Sequence, residues 1–412
     1  MAHISSQDQA AAADHDQPVF AKQGYCRRAA FALRRCLAMG LVSACATVAI
    51  SSSAFAAEGV TPNSVTFVQT ADVKGSRAPL VKELNAGTLA YLTHVNEHGG
   101  VHGRQVILAT EDDGYAVERT ARIVAERIQR DDVFGFMSLI GTANAAAALP
   151  LINAAKVPLI APLSGAAQLR SPQTRNVFHI RASYEQEVEK MVQHVVTLGI
   201  TQVAIFYDDD AFGQDVLKGA EEALARRNLK PAARGKVARG TTDVADAVNA
   251  IATARPQVVI CGSFGKSLVE FVTRMKGTGV RPTYYALSFF TAGASIKQLG
   301  QDARGIAVTQ VMPKPSAVGL PLVREFQDLM RKYSPGEPLT SFSLEGFVTA
   351  KVIVEGLRRS GPNLTRTRFI DAMESLRDVD LGALQLSYSP TNHSGLKFVA
   401  ITVVDDRGHV LH

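Results

Sequence analysis

Cysteine is nearly absent from the body of this 412-residue chain. Cys26, Cys36 and Cys45 fall within the first 56 residues, and Cys261 stands alone after them. With the N-terminal stretch removed, neither a disulfide framework nor a cysteine-based metal site can form. Cys261 follows Val258-Val259-Ile260, the setting of a small buried hydrophobe. Strong charge is missing too. The formal net charge is +6, and Lys and Arg are scattered among Asp and Glu. A nucleic-acid binder gathers its basic residues on one element, so no nucleic-acid partner is expected. No apolar run is long enough to span a bilayer as a stable helix, including the one at 37–50. Enzyme signatures are lacking as well: no Gly-x-Ser-x-Gly, no Walker loop, no His-Glu-x-x-His, and no Gly-x-Gly-x-x-Gly after the first expected strand. The ten histidines are spread singly; His98 and His102 flank a glycine turn, and Ser164 has no evident His partner. The chain is therefore not expected to be an enzyme, and no metal or cofactor is expected.

What is present begins with an address. Arg27, Arg28, Arg34 and Arg35 precede the apolar run 37–50, and Ser51-Ser52-Ser53-Ala54-Phe55-Ala56 follows it. A positive cluster, a short apolar core and an Ala-x-Ala end are the parts of a secretory signal. Residues 1–56 thus read as an N-terminal extension and signal peptide, with export by the general secretory route and cleavage after Ala56. Val42-Ser43-Ala44-Cys45 resembles a lipoprotein cleavage box, and a lipid anchor at Cys45 is the lesser alternative.

The apolar and charged fractions, 46% and 20%, are those of a folded soluble chain. Its length exceeds what one hydrophobic core usually serves, so two lobes are expected. From Val65 onward short β-branched runs alternate with helical patterns. Strands are expected at 65–70, 105–110, 133–138 and 157–161, with helices at 80–97, 115–130 and 142–155. Asp112 or Asp113 is placed to cap the second helix. The rhythm restarts after Ser171-Pro172, with strands at 203–207, 258–261 and 283–287 and helices at 183–198, 212–227, 245–254 and 267–276. Three more helices follow, at 322–333, 344–359 and 366–376, then strands near 384–388 and 398–404. This is an α/β class with parallel sheets and helices on both faces.

In such sheets ligands sit where strand carboxyl ends meet helix N-termini. Gly141-Thr142 follows one expected strand: glycine permits close approach, and a helix N-terminus favours an anion. A plain capping loop is an equal reading. Ser164-Gly165 repeats the pairing at the next strand end. Asp208-Asp209-Asp210 lacks the spacing of a calcium loop, so capping and solvation account for it. Phe212, just beyond, could wall a pocket.

The run Tyr91-Leu92-Thr93-His94-Val95-Asn96-Glu97-His98-Gly99-Gly100-Val101-His102-Gly103-Arg104, followed by Glu111-Asp112-Asp113, is similar to the leucine/isoleucine/valine-binding protein family. Val157-Pro158-Leu159-Ile160-Ala161-Pro162, the stretch from Tyr207 to Gly213, and Leu344-Glu345-Gly346-Phe347 resemble it too. The resemblance implies a type I periplasmic-binding fold, with two doubly wound parallel-sheet lobes joined by a three-crossover hinge. Lobe one would comprise 60–180 plus 311–385, and lobe two 181–310 plus 386–412. It implies the periplasmic, solute-binding component of an ABC importer, with a small-molecule ligand, a permease partner in the inner membrane and a monomeric state. A ligand-sensing receptor of the same fold is the alternative. Carried over position by position, Gly141, Thr142, Ser164 and Gly165 would bind a ligand carboxylate, and Phe212 and Phe264 would wall its body. Ser288 falls where amino-acid binders of the family hold an α-ammonium with an acid. The ligand is expected to be a small carboxylate, either an amino acid or an organic or aromatic acid. With an acid absent at 288, either another acid substitutes or the ligand lacks an ammonium.

Overall fold

β-branched and aromatic runs of a few residues form the strands, and the computed structural model describes residues 58–170, 174–291 and 295–411. The expected export signal, the cleavage after Ala56 and the alternative anchor at Cys45 lie outside these residues. The first sheet is fully parallel, in the order β2-β1-β3-β4-β5. Its strands are β1 (Ser64–Ala71), β2 (Gln105–Asp112), β3 (Gly135–Met137), β4 (Leu159–Ile160) and β5 (Val177–Phe178). Helices α1 (Ala78–Glu97), α2 (Val117–Arg130) and α3 (Thr142–Ala154) connect them.

The chain then enters a second sheet through α4 (Tyr184–Thr197), whose start is fixed by a capping box between Ser183 and Gln186. Strands β6 (Val203–Asp209), β7 (Arg234–Ala238), β8 (Val258–Gly262), β9 (Thr283–Ala286) and β10 (Ala307–Gln310) alternate with α5 (Ala211–Ala225), α6 (Ala245–Ala254), α7 (Lys266–Gly277) and the short α8 (Ser295–Leu299). After β10 the chain returns to the first sheet's layer as α9 (Pro321–Tyr333), α10 (Ser341–Ser360) and α11 (Arg366–Glu374), plus a hairpin of β11 (Val379–Asp380) and β12 (Gln385–Leu386). It crosses once more into β13 (Ala400–Val404) and β14 (Val410–Leu411), giving the order β14-β13-β10-β9-β8-β6-β7.

Several features depart from the sequence expectation, among them the unexpected strands β5, β10, β11 and β14. The last strands are antiparallel, because β13 arrives from the other sheet without a crossover helix to reverse it. Strand β7 was not expected. It is an edge strand that buries Gly235 and Val237 and exposes Arg234, Lys236 and Ala238, so it carries almost no apolar signal. The expected cap on α2 is also corrected. The helix starts after Ala116 with no side-chain cap, and Asp113 instead accepts from Tyr115 N (2.8 Å) and Thr120 Oγ1 (2.7 Å).

Alternation along the strands assigns each face its core. On β1, Phe67 packs with α1 and α10, while Val68 packs with α2 and α3. On β6, Ala204 and Phe206 face one cluster, and Val203, Ile205 and Tyr207 face another. Each fully buried Val, Ile or Phe among these contributes about 1.5–3 kcal/mol. The Ile205 cluster also takes in Ala71, Leu80, Val81, Ile140 and Leu163, so the two sheets share an apolar seam at their carboxyl ends. Helices α1 and α10 touch through Gly87 and Gly346. A Cβ on Gly87 would lie 1.7 Å from Ser343 O, and one on Gly346 would lie 1.9 Å from Leu84 O. Cys261 is fully buried, and burial pushes its thiol up.

Candidate functional site

Strands β1, β2, β6, β7 and β8 end on the same side, and the loops that leave them enclose a cleft of about 420 Å³. From the first sheet's side come Ser76, Arg77, Leu80 and Tyr115; from the second come Asp208, Asp210, Arg239, Phe264 and Lys266. A volume in this range suits a small-molecule ligand. The guanidinium of Arg77 lies 3.3 Å from the Tyr115 ring centre and 5.2 Å from that of Phe264. Arg239 approaches the same Tyr115 ring at 4.8 Å. Burial raises the Tyr115 hydroxyl, and the two arginines oppose that rise.

The three consecutive aspartates diverge because β6 ends among them. Asp209 points outward to Lys236 (2.7 Å). Asp210 caps α5, accepting from Phe212 N (2.9 Å) and Gly213 N (3.0 Å), and also faces Arg239 at 3.6 Å. Asp208 turns into the cleft, where Ser263 Oγ (2.7 Å) and Ser267 Oγ (3.2 Å) both donate to its Oδ1. Burial pushes its carboxyl up to about 7, against the pull of those serines. A polar chain spans the cleft beside it: Arg239 donates to Asn144 Oδ1 (3.1 Å), Asn144 donates to Thr120 (2.8 Å), and Thr120 donates to Asp113 (2.7 Å).

Deeper in, the side chains pack against one another, although Arg181 Nε and Nη1 are buried without a hydrogen-bond partner. Thr142 and Ser164 hydroxyls are 2.9 Å apart and buried beside Tyr184. Burial pushes the Tyr184 hydroxyl up to about 12, opposed by Arg181 and by those two hydroxyls. Arg181, 1% exposed, donates to Ser288 Oγ (2.5 Å), and its guanidinium lies 4.1 Å from the Phe289 ring centre. Glu345 and Glu187 flank it at 3.6 and 3.9 Å. Glu187 accepts from Ser288 N (2.9 Å), Ser288 Oγ (3.2 Å) and Thr309 Oγ1 (2.5 Å). Burial raises Glu345, with Arg181 acting against it.

Among the expected ligand residues, Phe264 lines the cleft. Gly141 sits behind it at φ 101°, where a Cβ would meet the Tyr115 ring at 2.7 Å. Thr142, Ser164 and Gly165 surround Tyr184; a Cβ on Gly165 would lie 2.5 Å from that residue. Phe212 packs edge-on against Tyr184 (5.1 Å) and Phe264 (5.6 Å), and so separates the inner cluster from the cleft. Ser288 is held by Arg181 and Glu187. Sequence reasoning passed over Arg77, Tyr115 and Arg239, and it assigned Asp208 to capping and solvation. All four follow or end strands, so the strand-end rule reaches them once it is applied to β1, β2, β6 and β7.

The comparisons agree with this architecture. The pattern of the family described as periplasmic binding protein matches residues 64–409. The chain is 25% identical over 303 residues to the Leu/Ile/Val-binding protein homolog 7 of Brucella abortus, covering 69% of this chain and 74% of that one. A substrate-binding periplasmic protein from Ralstonia solanacearum superimposes with a TM-score of 0.78 at 30% identity, covering 84% of this chain and 99% of that one. A possible leucine/isoleucine/valine-binding protein from Rhodopirellula baltica gives 0.79 at 27% identity, covering 87% and 98%. With the family pattern spanning both sheets and the cleft between them, this chain belongs to the periplasmic binding protein family and is a binding protein for a small solute, not an enzyme.

Proposed function

We propose that the chain is the extracytoplasmic solute-binding component of an ABC importer, and that it captures a small carboxylate-bearing ligand by closing two lobes around it. Lobe one comprises about 60–180 plus 311–385, and lobe two about 181–310 plus 386–412; the packing of Leu386, Tyr388 and Leu396 with the first sheet's core supports a last boundary nearer 396. The three chain passages between the sheets serve as the hinge. The observation that carries this reading is the cleft itself: its walls come from both sheets, and Arg77 offers it a guanidinium whose buried Nε has no hydrogen-bond partner. An anionic group on the ligand would supply that partner.

The chain is exported as a monomer by cleavage after Ala56, and it delivers its ligand to an inner-membrane permease. The ligand belongs to the amino acids or the organic or aromatic acids, with Gly141, Thr142, Ser164, Gly165, Phe212 and Ser288 shaping the layer behind the cleft. A thermal-shift panel of these acids tests the reading. Ligand at a hundredfold excess over Kd stabilises the native state by about 2.7 kcal/mol. A rise in melting temperature with at least one acid is expected, and no rise with any of them overturns the ligand class. Intact-mass analysis of the secreted chain tests the cleavage, with a mature protein beginning at Ala57 as the expected result.

A further inference from the structure

Helix α1 ends in a pair of imidazoles. His94 lies in its last turn and His98 is its C-cap. Side chains at this spacing stand on one helical face. Their ring centres are 4.4 Å apart, with the planes tilted by 52°. His102, which the sequence sets beside His98 across the glycine turn, is directed elsewhere, onto Arg358 O (2.9 Å).

The hydrogen bond of His98 fixes its tautomer. Its Nδ1 lies 2.7 Å from His94 O. A carbonyl only accepts, so Nδ1 carries the proton and Nε2 of the neutral ring is a bare lone pair. A ring N–H tied to a backbone carbonyl is the support that metal-bound histidines use. Packing holds His94: the rings of Tyr91 and Tyr333 lie 6.5 and 6.1 Å from its own. Its Nδ1 is buried without a hydrogen-bond partner, which leaves Nε2 as the coordinating nitrogen. Among the described residues, no hydrogen bond occupies Nε2 of either ring. Burial, His98 and Lys332 lower the His94 imidazole, so it is neutral near pH 7, as a metal ligand must be.

The surrounding charge suits a cation. A helix C-terminus carries partial negative charge. Glu97 and Glu325 face His94, and the one opposing ammonium, Lys332, is engaged by Tyr333 Oη (2.7 Å) and Glu97 (3.5 Å). No group of three or more His, Cys, Asp or Glu among the described residues is placed to hold an ion. The chain thus offers two nitrogens, and water completes the coordination. We propose that His94 and His98 chelate a divalent transition-metal ion through their Nε2 atoms. Imidazole ligands suit copper, nickel and zinc, with Cu2+ bound most tightly, whereas magnesium and calcium require oxygen. Neither histidine lines the cleft between the sheets, so the site is separate from the one proposed for the solute.

Isothermal titration of the full chain, prepared without an affinity tag and stripped with chelator, tests the proposal at pH 7.5. CuCl2 and ZnCl2 should bind, copper more tightly, and MgCl2 and CaCl2 should not. His94→Gln and His98→Gln should each weaken Cu2+ at least ~10-fold, the least that losing even a supporting partner of a metal ligand costs. His102→Gln should leave binding unchanged. Electron paramagnetic resonance of the copper complex should show coupling to two imidazole nitrogens in the wild type and to one in each of the first two variants. Absence of Cu2+ and Zn2+ binding overturns the proposal. So does wild-type copper affinity in a folded His94→Gln or His98→Gln, which would make the metal an adventitious ion held elsewhere.

Discussion

Around Arg181, one buried cation meets two buried carboxylates, a serine and an aromatic face, and the chain supplies all of them. Around Asp208 and Arg77, on the cleft side of Phe212, the chain supplies serines, aromatic faces and the neighbouring charges of Asp210 and Arg239, but no direct ion pair to either residue among the described residues. Both clusters join residues of the two sheets, yet they use charge differently. Where the chain matches its own charges, the cluster fixes how the sheets meet. Where it leaves them unmatched, the desolvation cost stands ready to be offset from outside.

The largest way to break this contrast is to unmatch the inner cluster. Arg181→Met preserves much of the side-chain volume but leaves Glu187 and Glu345 buried with no cation. Removing one partner of such a group costs about 3–5 kcal/mol, because the remaining charge stays uncompensated. Urea denaturation at pH 7 should register that loss. It should shrink as pH falls, because burial raises Glu345 and its protonation removes that unpaired charge. A loss below about 1 kcal/mol would mean that the inner cluster is not held by charge matching.

Asp208 sharpens the other half with a defined sign. Its folded carboxyl titrates at about 7, above the ordinary 3.8. Between those values the folded state holds a proton that the unfolded state has released, so this group makes stability fall as pH rises, with the full penalty present above about 7. Asp208→Asn has no such penalty. It should be more stable than wild type by about 2 kcal/mol at pH 8 and match it near pH 4; the figure is discounted from the full shift because the carboxylate borders an open cleft. The facing charges are Asp210, Arg77 and Arg239, and Asp210 contributes to the rise by repulsion. Parallel melts of the two proteins across pH 4–8 measure the difference. Equal slopes would place Asp208 in an ordinary solvated setting.

Much of the fold was legible because its strands and helices carry strong periods. Helix 245–254 is observed as Ala245–Ala254, and the starts at Gln105, Val203, Val258 and Thr283 coincide with their strands. What escaped gave a short or weak apolar signal: β7 is mostly polar, β5, β11 and β14 have two residues each, and the buried β10 is the four-residue Ala307-Val308-Thr309-Gln310. Site residues followed the same logic. Thr142 and Ser164 are flagged by hydroxyl-glycine loops, and the structure indeed brings them within 2.9 Å, but toward Tyr184. No spacing rule indicates that a tyrosine some twenty residues on will fill that space. Asp208 was hidden by its neighbours. Three adjacent aspartates read as one solvated cap until β6 ends among them and sends each in a different direction.

The smallest expected effect tests what ties the cleft's rims together. Arg239 leaves the end of β7, donates to Asn144 Oδ1, faces Asp210 and lies over Tyr115. Each of these contacts is partly exposed, and such ion pairs and cation–π contacts contribute about 1 kcal/mol or less. Arg239→Gln should thus barely move global stability. It should change the rims locally, because Arg239 links the second sheet to the Asn144–Thr120–Asp113 chain of the first. Hydrogen exchange should speed up at Tyr115 and around Arg239 and Gly240, while the strand cores of both sheets exchange as before. Unlike Arg181→Met, which should weaken the whole molecule, this substitution should loosen only the cleft. If exchange speeds up equally in both sheets, then Arg239 belongs with the inner cluster as a support for the fold, and the division between matched and unmatched charge does not extend to the cleft's rim.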